Sequence, residues 1–221
     1  MRNQTRSGQA AWAFTSVSFS AEMSPWVRDV AQALMELGMR VLVVEAYGQA
    51  SAAGSSKPGL ADYLAGADLD TLIHQCPWKG SMLAIITGGS TRSPSPHRMA
   101  RLDDAIKHWS SEYDLILFDL EPLENSADAQ MLAAQVGQVV LVVDAQTDTR
   151  ADLQRVRRLF EHIDPAIVGL FVNKVPHAPG DRVMERQIVE TLTQHHYDQF
   201  DTAPRIRLWW ERLWARLQAR R

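Results

Sequence analysis

The chain has 221 residues, 46% of them hydrophobic, and carries 26 acidic against 23 basic side chains for a formal net charge of −3. That length suits one α/β domain with an ordinary core, and the apolar content excludes wholesale disorder. The single cysteine, Cys76, excludes an internal disulfide framework and a thiolate zinc site. No run approaches the ~18 apolar residues of a membrane span, and no apolar leader follows Arg2 and Arg6, so a cytoplasmic protein is expected.

After an N-terminal tail at 1–10, strands are predicted at 11–15, 41–45, 83–87, 115–119, 139–144 and 168–173. Helices are predicted at 26–37, 59–64, 99–113, 126–135, 150–162 and 181–194. The strands are mostly unbroken apolar runs, as expected where both faces of a parallel sheet are covered. Alternation of such strands with helices predicts a three-layer, doubly wound, mainly parallel sheet over residues 11–200. Gly, Ser and Ala mark a loop at 48–58, and Gly and Pro another at 88–96. Ligands of such sheets sit at the carboxyl ends of the strands, so the loops after Thr15, Glu45, Thr87, Asp119 and Asp144 should line one edge.

Between the first strand and the first helix lies Phe14-Thr15-Ser16-Val17-Ser18-Phe19-Ser20-Ala21-Glu22-Met23-Ser24-Pro25-Trp26, in the place of a phosphate-binding loop. Such a loop needs glycines, so that backbone N–H groups cradle phosphate, and a lysine that reaches the β- and γ-phosphates. Here Ser20 and Glu22 occupy the glycine places and Met23 the lysine place, and Ser24 alone keeps its type. Met23 offers neither charge nor donor, Glu22 repels polyphosphate, and Ser20 and Ala21 carry Cβ atoms where close approach needs glycine.

The segments that follow have a familiar order. Leu37-Gly38-Met39-Arg40-Val41-Leu42-Val43-Val44-Glu45-Ala46 is similar to an LGKRVLLIDAD segment, and Gly59-Leu60-Ala61-Asp62-Tyr63-Leu64-Ala65-Gly66 to GLSDVLAG. Gly88-Gly89 through Pro96 matches a G…PPNP stretch. Tyr113 to Asp119, with Pro122 and Ala127-Asp128-Ala129 beyond it, looks like a Walker B strand, and Phe171-Val172-Asn173-Lys174 like an adenine-side strand. Over residues 11–176 the chain resembles the cytoplasmic domain of bacterial tyrosine kinases (BY-kinases), relatives of the MinD/ParA deviant-Walker ATPases. The resemblance implies a P-loop NTPase fold. It makes Glu45 the acid of the second Walker motif, Asp119 a magnesium holder or else a cap on the next turn, and Asn173 an adenine contact or a bond within its own turn. Tyr47 stands where that second motif has a further acid. Of the four tyrosines, at 47, 63, 113 and 197, only Tyr197 lies near the end, so the family's C-terminal tyrosine cluster is missing.

Residues 205–221 hold six arginines against one acid, a net +5 that leaves −8 for the rest. On a helix at 100° per residue, Ile206, Trp209, Trp210, Leu213, Trp214 and Leu217 fall in one apolar arc flanked by arginine. Tryptophan with bordering arginine suits a lipid interface. The alternatives are a partner protein or the chain's own domain. The acidic body and the lack of any reading motif argue against nucleic acid.

The expectation is therefore a pseudo-ATPase without catalytic residues, metal or cofactor, its affinity for ATP and magnesium lost or weak. Through the resemblance, its expected place is at the inner membrane as a scaffold in exopolysaccharide synthesis and export. Its partners there would be a membrane-embedded polysaccharide co-polymerase or synthase complex, and a second copy of itself. An active ATPase or autokinase with an atypical loop, and a MinD/ParA-like positioning protein, are the alternatives.

Overall fold

A computed structural model describes residues 11–18, 23–46, 58–89 and 99–173. The expected helix at 181–194 and the tail at 205–221 lie outside these residues. Seven strands and five helices follow in the order β1 (Ala11–Ser16), α1 (Met23–Glu36), β2 (Val41–Glu45), α2 (Leu60–Ala65), β3 (His74–Trp78), β4 (Ser81–Ile86), α3 (Met99–Glu112), β5 (Leu115–Asp119), α4 (Ala127–Val136), β6 (Gln138–Asp144), α5 (Arg150–Ile163) and β7 (Ala166–Asn173). The sheet order is β3-β4-β2-β5-β1-β6-β7. All neighbours are parallel except the hairpin of β3 and β4.

The sheet's central strands are buried along their length, as their unbroken apolar runs require. Helices α2 to α5 pack on one face through Leu64, Leu102, Trp109, Leu132, Val156 and Phe160. On the other face α1 packs through Val27, Val30, Ala31 and Leu34. Adjacent strands β1 and β5 thus send their following helices to opposite faces. That divergence is the topological switch point at which open α/β sheets hold their ligands.

Two departures from the sequence reading have physical causes. The unexpected strand β3, His-Gln-Cys-Pro-Trp, lacks a continuous apolar run because it is an edge strand of alternating exposure. Pro77 is tolerated at such an edge. Lys79 and Gly80 both take positive φ, as a two-residue primed hairpin turn requires, and this starts β4 at Ser81 rather than 83. The first helix begins at Met23 rather than 26, since Pro25 fits a first turn.

Helix α2 is docked by its own start. Leu60 N–H donates to Thr87 O at 2.8 Å and Ala61 N–H to Gly88 O at 3.0 Å, fixing the segment after β4 against the one before α2. Gly59 permits this crossing, because a Cβ there would sit 2.3 Å from both Gly89 N and Thr87 O. Helix α4 is capped by the Ser126 hydroxyl, which accepts Ala129 N–H, and α5 by Thr149 with Asp152.

Candidate functional site: the carboxyl edge at β1, β2 and β5

The hydroxyls at the end of β1 are turned into the protein. The buried Thr15 Oγ1 donates to Glu121 O at 2.9 Å, and Ser16 Oγ donates to Ser18 O at 2.6 Å. Val17 N–H continues the β6 ladder by donating to Val142 O at 3.0 Å. Ser18 Oγ donates to Asp148 Oδ1 at 2.5 Å. Ser20 and Glu22 lie outside the described residues.

Met23, in the lysine place, is the first residue of α1; Ser24 follows half-buried and Pro25 exposed. The first four N–H groups of a helix have no intrahelical partner and form its anion-binding end. Pro25 lacks one, so the first turn of α1 has one N–H group fewer to offer an anion. Trp26 anchors the turn, meeting Phe14 edge-on at 5.6 Å and Phe171 at 4.4 Å between ring centroids.

Glu45 and Asp119 are brought together. They are register partners at the ends of β2 and β5, and Asp119 also pairs with Phe14 of β1. Both are buried, Asp119 to 1% exposure. Asp119 O accepts Ala46 N–H at 2.9 Å, which carries the pairing one residue past β2. Asn173 is set apart: it closes β7 beside Asp144, its carbonyl accepting Ala145 N–H at 2.9 Å. Four strand spacings, about 19 Å, separate its strand from β2.

The sequence reading missed the group that holds Glu45. Arg28, one and a half turns into α1, donates from Nε to Glu45 Oε1 at 2.9 Å and from Nη2 to the same oxygen. Its guanidinium lies 5.1 Å from the Trp78 ring. Trp78 Nε1 donates to Asp29 Oδ1 at 2.8 Å, and Lys79 Nζ sits 2.7 Å from the same carboxylate. The hairpin turn, α1 and Glu45 are thus one connected network. An arginine five residues past the lysine place was the visible signal, but its partner is set by the β2–α1 packing. Asp148 was also missed; it accepts Asp144 N–H at 2.7 Å and so closes the turn after β6.

Among the described residues no group of three or more His, Cys, Asp or Glu side chains could hold a metal ion, and no helix is long and apolar enough to cross a membrane. The apolar tail positions Ile206, Trp209, Trp210, Leu213, Trp214 and Leu217 lie outside the described residues.

Comparison with known proteins places this geometry. No protein-family model matches the chain. EpsB of Ralstonia solanacearum, named as a tyrosine-protein kinase, is 31% identical over 146 residues, which cover 62% of this chain and 19% of EpsB. The chain therefore spans about a fifth of the length of that relative. Among solved structures, the kinase domain of the Escherichia coli tyrosine kinase ETK superposes with a TM-score of 0.60 at 20% identity, over 79% of this chain and 72% of that one. The MinD cell division protein of Aquifex aeolicus gives 0.64 at 19% identity, over 83% and 78%. The fold is that of the MinD/ParA-like P-loop NTPases, and these matches fall in the superfamily that the ordered segments resemble.

Proposed function

We propose that this chain is a catalytically inactive BY-kinase-like, MinD-like pseudo-ATPase. It acts as a scaffold or regulatory subunit of a bacterial exopolysaccharide synthesis and export complex, of capsule, holdfast or cellulose type, at the inner membrane. The observation that carries the reading is the Arg28–Glu45 ion pair. The acid in the place of the family's second Walker motif is already charge-paired within the protein. A guanidinium locked to a carboxylate does not replace the missing lysine at the β- and γ-phosphates. Phosphoryl transfer depends on positioning and charge stabilisation of those phosphates, and the Met23 position and the proline in α1's first turn supply less of both. The residues present do not fit magnesium-ATP.

Titration calorimetry of the purified chain with magnesium-ATP tests this. No saturable heat is expected up to millimolar nucleotide; micromolar binding would refute the reading.

The partners follow from the relatives and from the tail. The resemblance to the BY-kinases, whose name EpsB and CapB share as tyrosine-protein kinases, supports a polysaccharide co-polymerase or synthase complex as the docking partner, and a second copy of the chain is the further candidate. The arginine-flanked face of Ile206, Trp209, Trp210, Leu213, Trp214 and Leu217 supports peripheral attachment to anionic membrane. Flotation with phosphatidylglycerol vesicles should be lost in the Trp209→Glu/Trp210→Glu variant; equal flotation of variant and parent excludes docking through this face.

The kinase names of the relatives favour a second reading, an active ATPase or autokinase with an atypical loop. Release of γ-phosphate or autophosphorylation by purified protein decides for it.

A further inference from the structure

The outer strand β3 carries a proline where its backbone turns away from the sheet. Trp78 and Ser81 flank the Lys79-Gly80 turn as register partners, and pairing continues through Pro77 with Met82, Cys76 with Leu83 and Gln75 with Ala84. In an antiparallel hairpin with such a turn, the pair next to the turn exchanges both ladder bonds, and bonded and unbonded pairs alternate from there. Trp78, Cys76 and His74 therefore aim N–H and C=O at β4, whereas Pro77 and Gln75 aim their backbone groups outward. Gln75, Pro77 and Met82 are exposed, Met82 to 52%. Among the described residues no further strand pairs with β3. Of its outward-facing positions Gln75 alone offers an N–H, because the Pro77 ring takes the place of the other.

We propose that Pro77 guards this edge against a second copy of the chain. An unpaired strand edge is a template for another strand, and two copies meeting edge to edge would pair β3 with β3 about a two-fold axis. Where Gln75 of one copy met Pro77 of the other, the bond from Gln75 N–H to Pro77 O could form but its reciprocal could not. The pyrrolidine ring also fills the space into which the missing hydrogen would point, and so holds the second strand off. A proline at Cys76 or Trp78 would instead break a bond to β4, so the guard stands at a position that leaves the hairpin intact. The inference does not depend on whether the chain binds nucleotide. It removes the β3 edge from the surfaces through which two copies could join.

Sedimentation velocity of the full chain over a range of concentrations compares the parent, Pro77→Thr and Gln75→Pro/Pro77→Thr. Threonine restores the outward N–H and suits a strand, and the double variant moves the proline to the other outward position. The expected result is self-association at least tenfold tighter in Pro77→Thr than in the parent, returning to the parental level in the double variant. Equal association of Pro77→Thr and parent overturns the proposal, and so does tight association that the double variant keeps. A second measurement needs no variant. In the parent the Gln75 amide should exchange hydrogen at least tenfold faster than the amides of Cys76 and Trp78, at every concentration. Protection of Gln75 equal to theirs would mean that the edge is already paired, and overturns the guard.

Discussion

Arg28 and Glu45 form an ion pair that joins α1 to the end of β2, with side-chain exposures of 25% and 12%. The pair closes the end of β2 against α1. Arg28 is held from its other side by the Trp78 ring.

Removing one partner should cost more than removing both. Arg28→Ala leaves a nearly buried carboxylate without its cation, a loss of about 2–4 kcal/mol once partial exposure is discounted from buried-pair values. The double variant Arg28→Ala/Glu45→Ala should lose less than the two single losses added. Urea denaturation in a double-mutant cycle checks this, and strict additivity would show that the pair is uncoupled.

Gly59→Ala should destabilise through backbone clash rather than lost contact. The new methyl meets backbone atoms of Thr87 and Gly89 at 2.3 Å, and neither has a rotamer to move. About 1–3 kcal/mol is expected, as for overpacking. Ala61→Gly, on the same helix, serves as the comparison at a site without that clash.

Trp109 gives a test of core chemistry. It is fully buried in α3, and its indole N–H has no hydrogen-bond partner among the described residues. Trp109→Phe therefore removes no bond and relieves an unsatisfied donor, so its cost should stay below about 2 kcal/mol. Trp109→Ala opens a cavity and should cost about 3–5 kcal/mol. A Phe variant as costly as the Ala variant would mean that the N–H is satisfied in solution.

Acid should loosen α5 and the β2–β5 entry. Asp152 is held below its ordinary value of 3.8, first by the Thr149 hydroxyl and then by Thr149 N–H, with Arg155 adding to it. Asp114 is lowered by the Arg40 guanidinium and then by Arg40 N–H. Both folded-state values are depressed, so their stabilisation is present above about pH 4 and is lost as pH falls through the lower folded values. The urea midpoint should fall with pH in that window, and Asp152→Asn should flatten part of the fall. An unchanged slope would remove Asp152 from the account.

Much of the frame was legible because buried parallel strands write themselves as unbroken apolar runs. Val41–Glu45 and Leu115–Asp119 were read to the residue. The edge strand β3 was not, since one exposed side and Pro77 erase the apolar run, and only the Lys79-Gly80 turn shows that it is a hairpin. That Glu45 and Asp119 close buried strands was legible from the apolar runs they end. The contacts of Glu45 and Ser18 were not, because Arg28 and Asp148 reach them from other elements.

The amino-acid sequence by itself determined the alternation of elements, the absence of glycine and lysine between β1 and α1, and the charge contrast between body and tail. These are local properties, set by residue type and spacing. Only the tertiary structure decided that Glu45 faces Arg28 and that Ser18 is tied to Asp148. Those contacts depend on strand order and helix rotation, which bring residues distant in the chain within bonding distance.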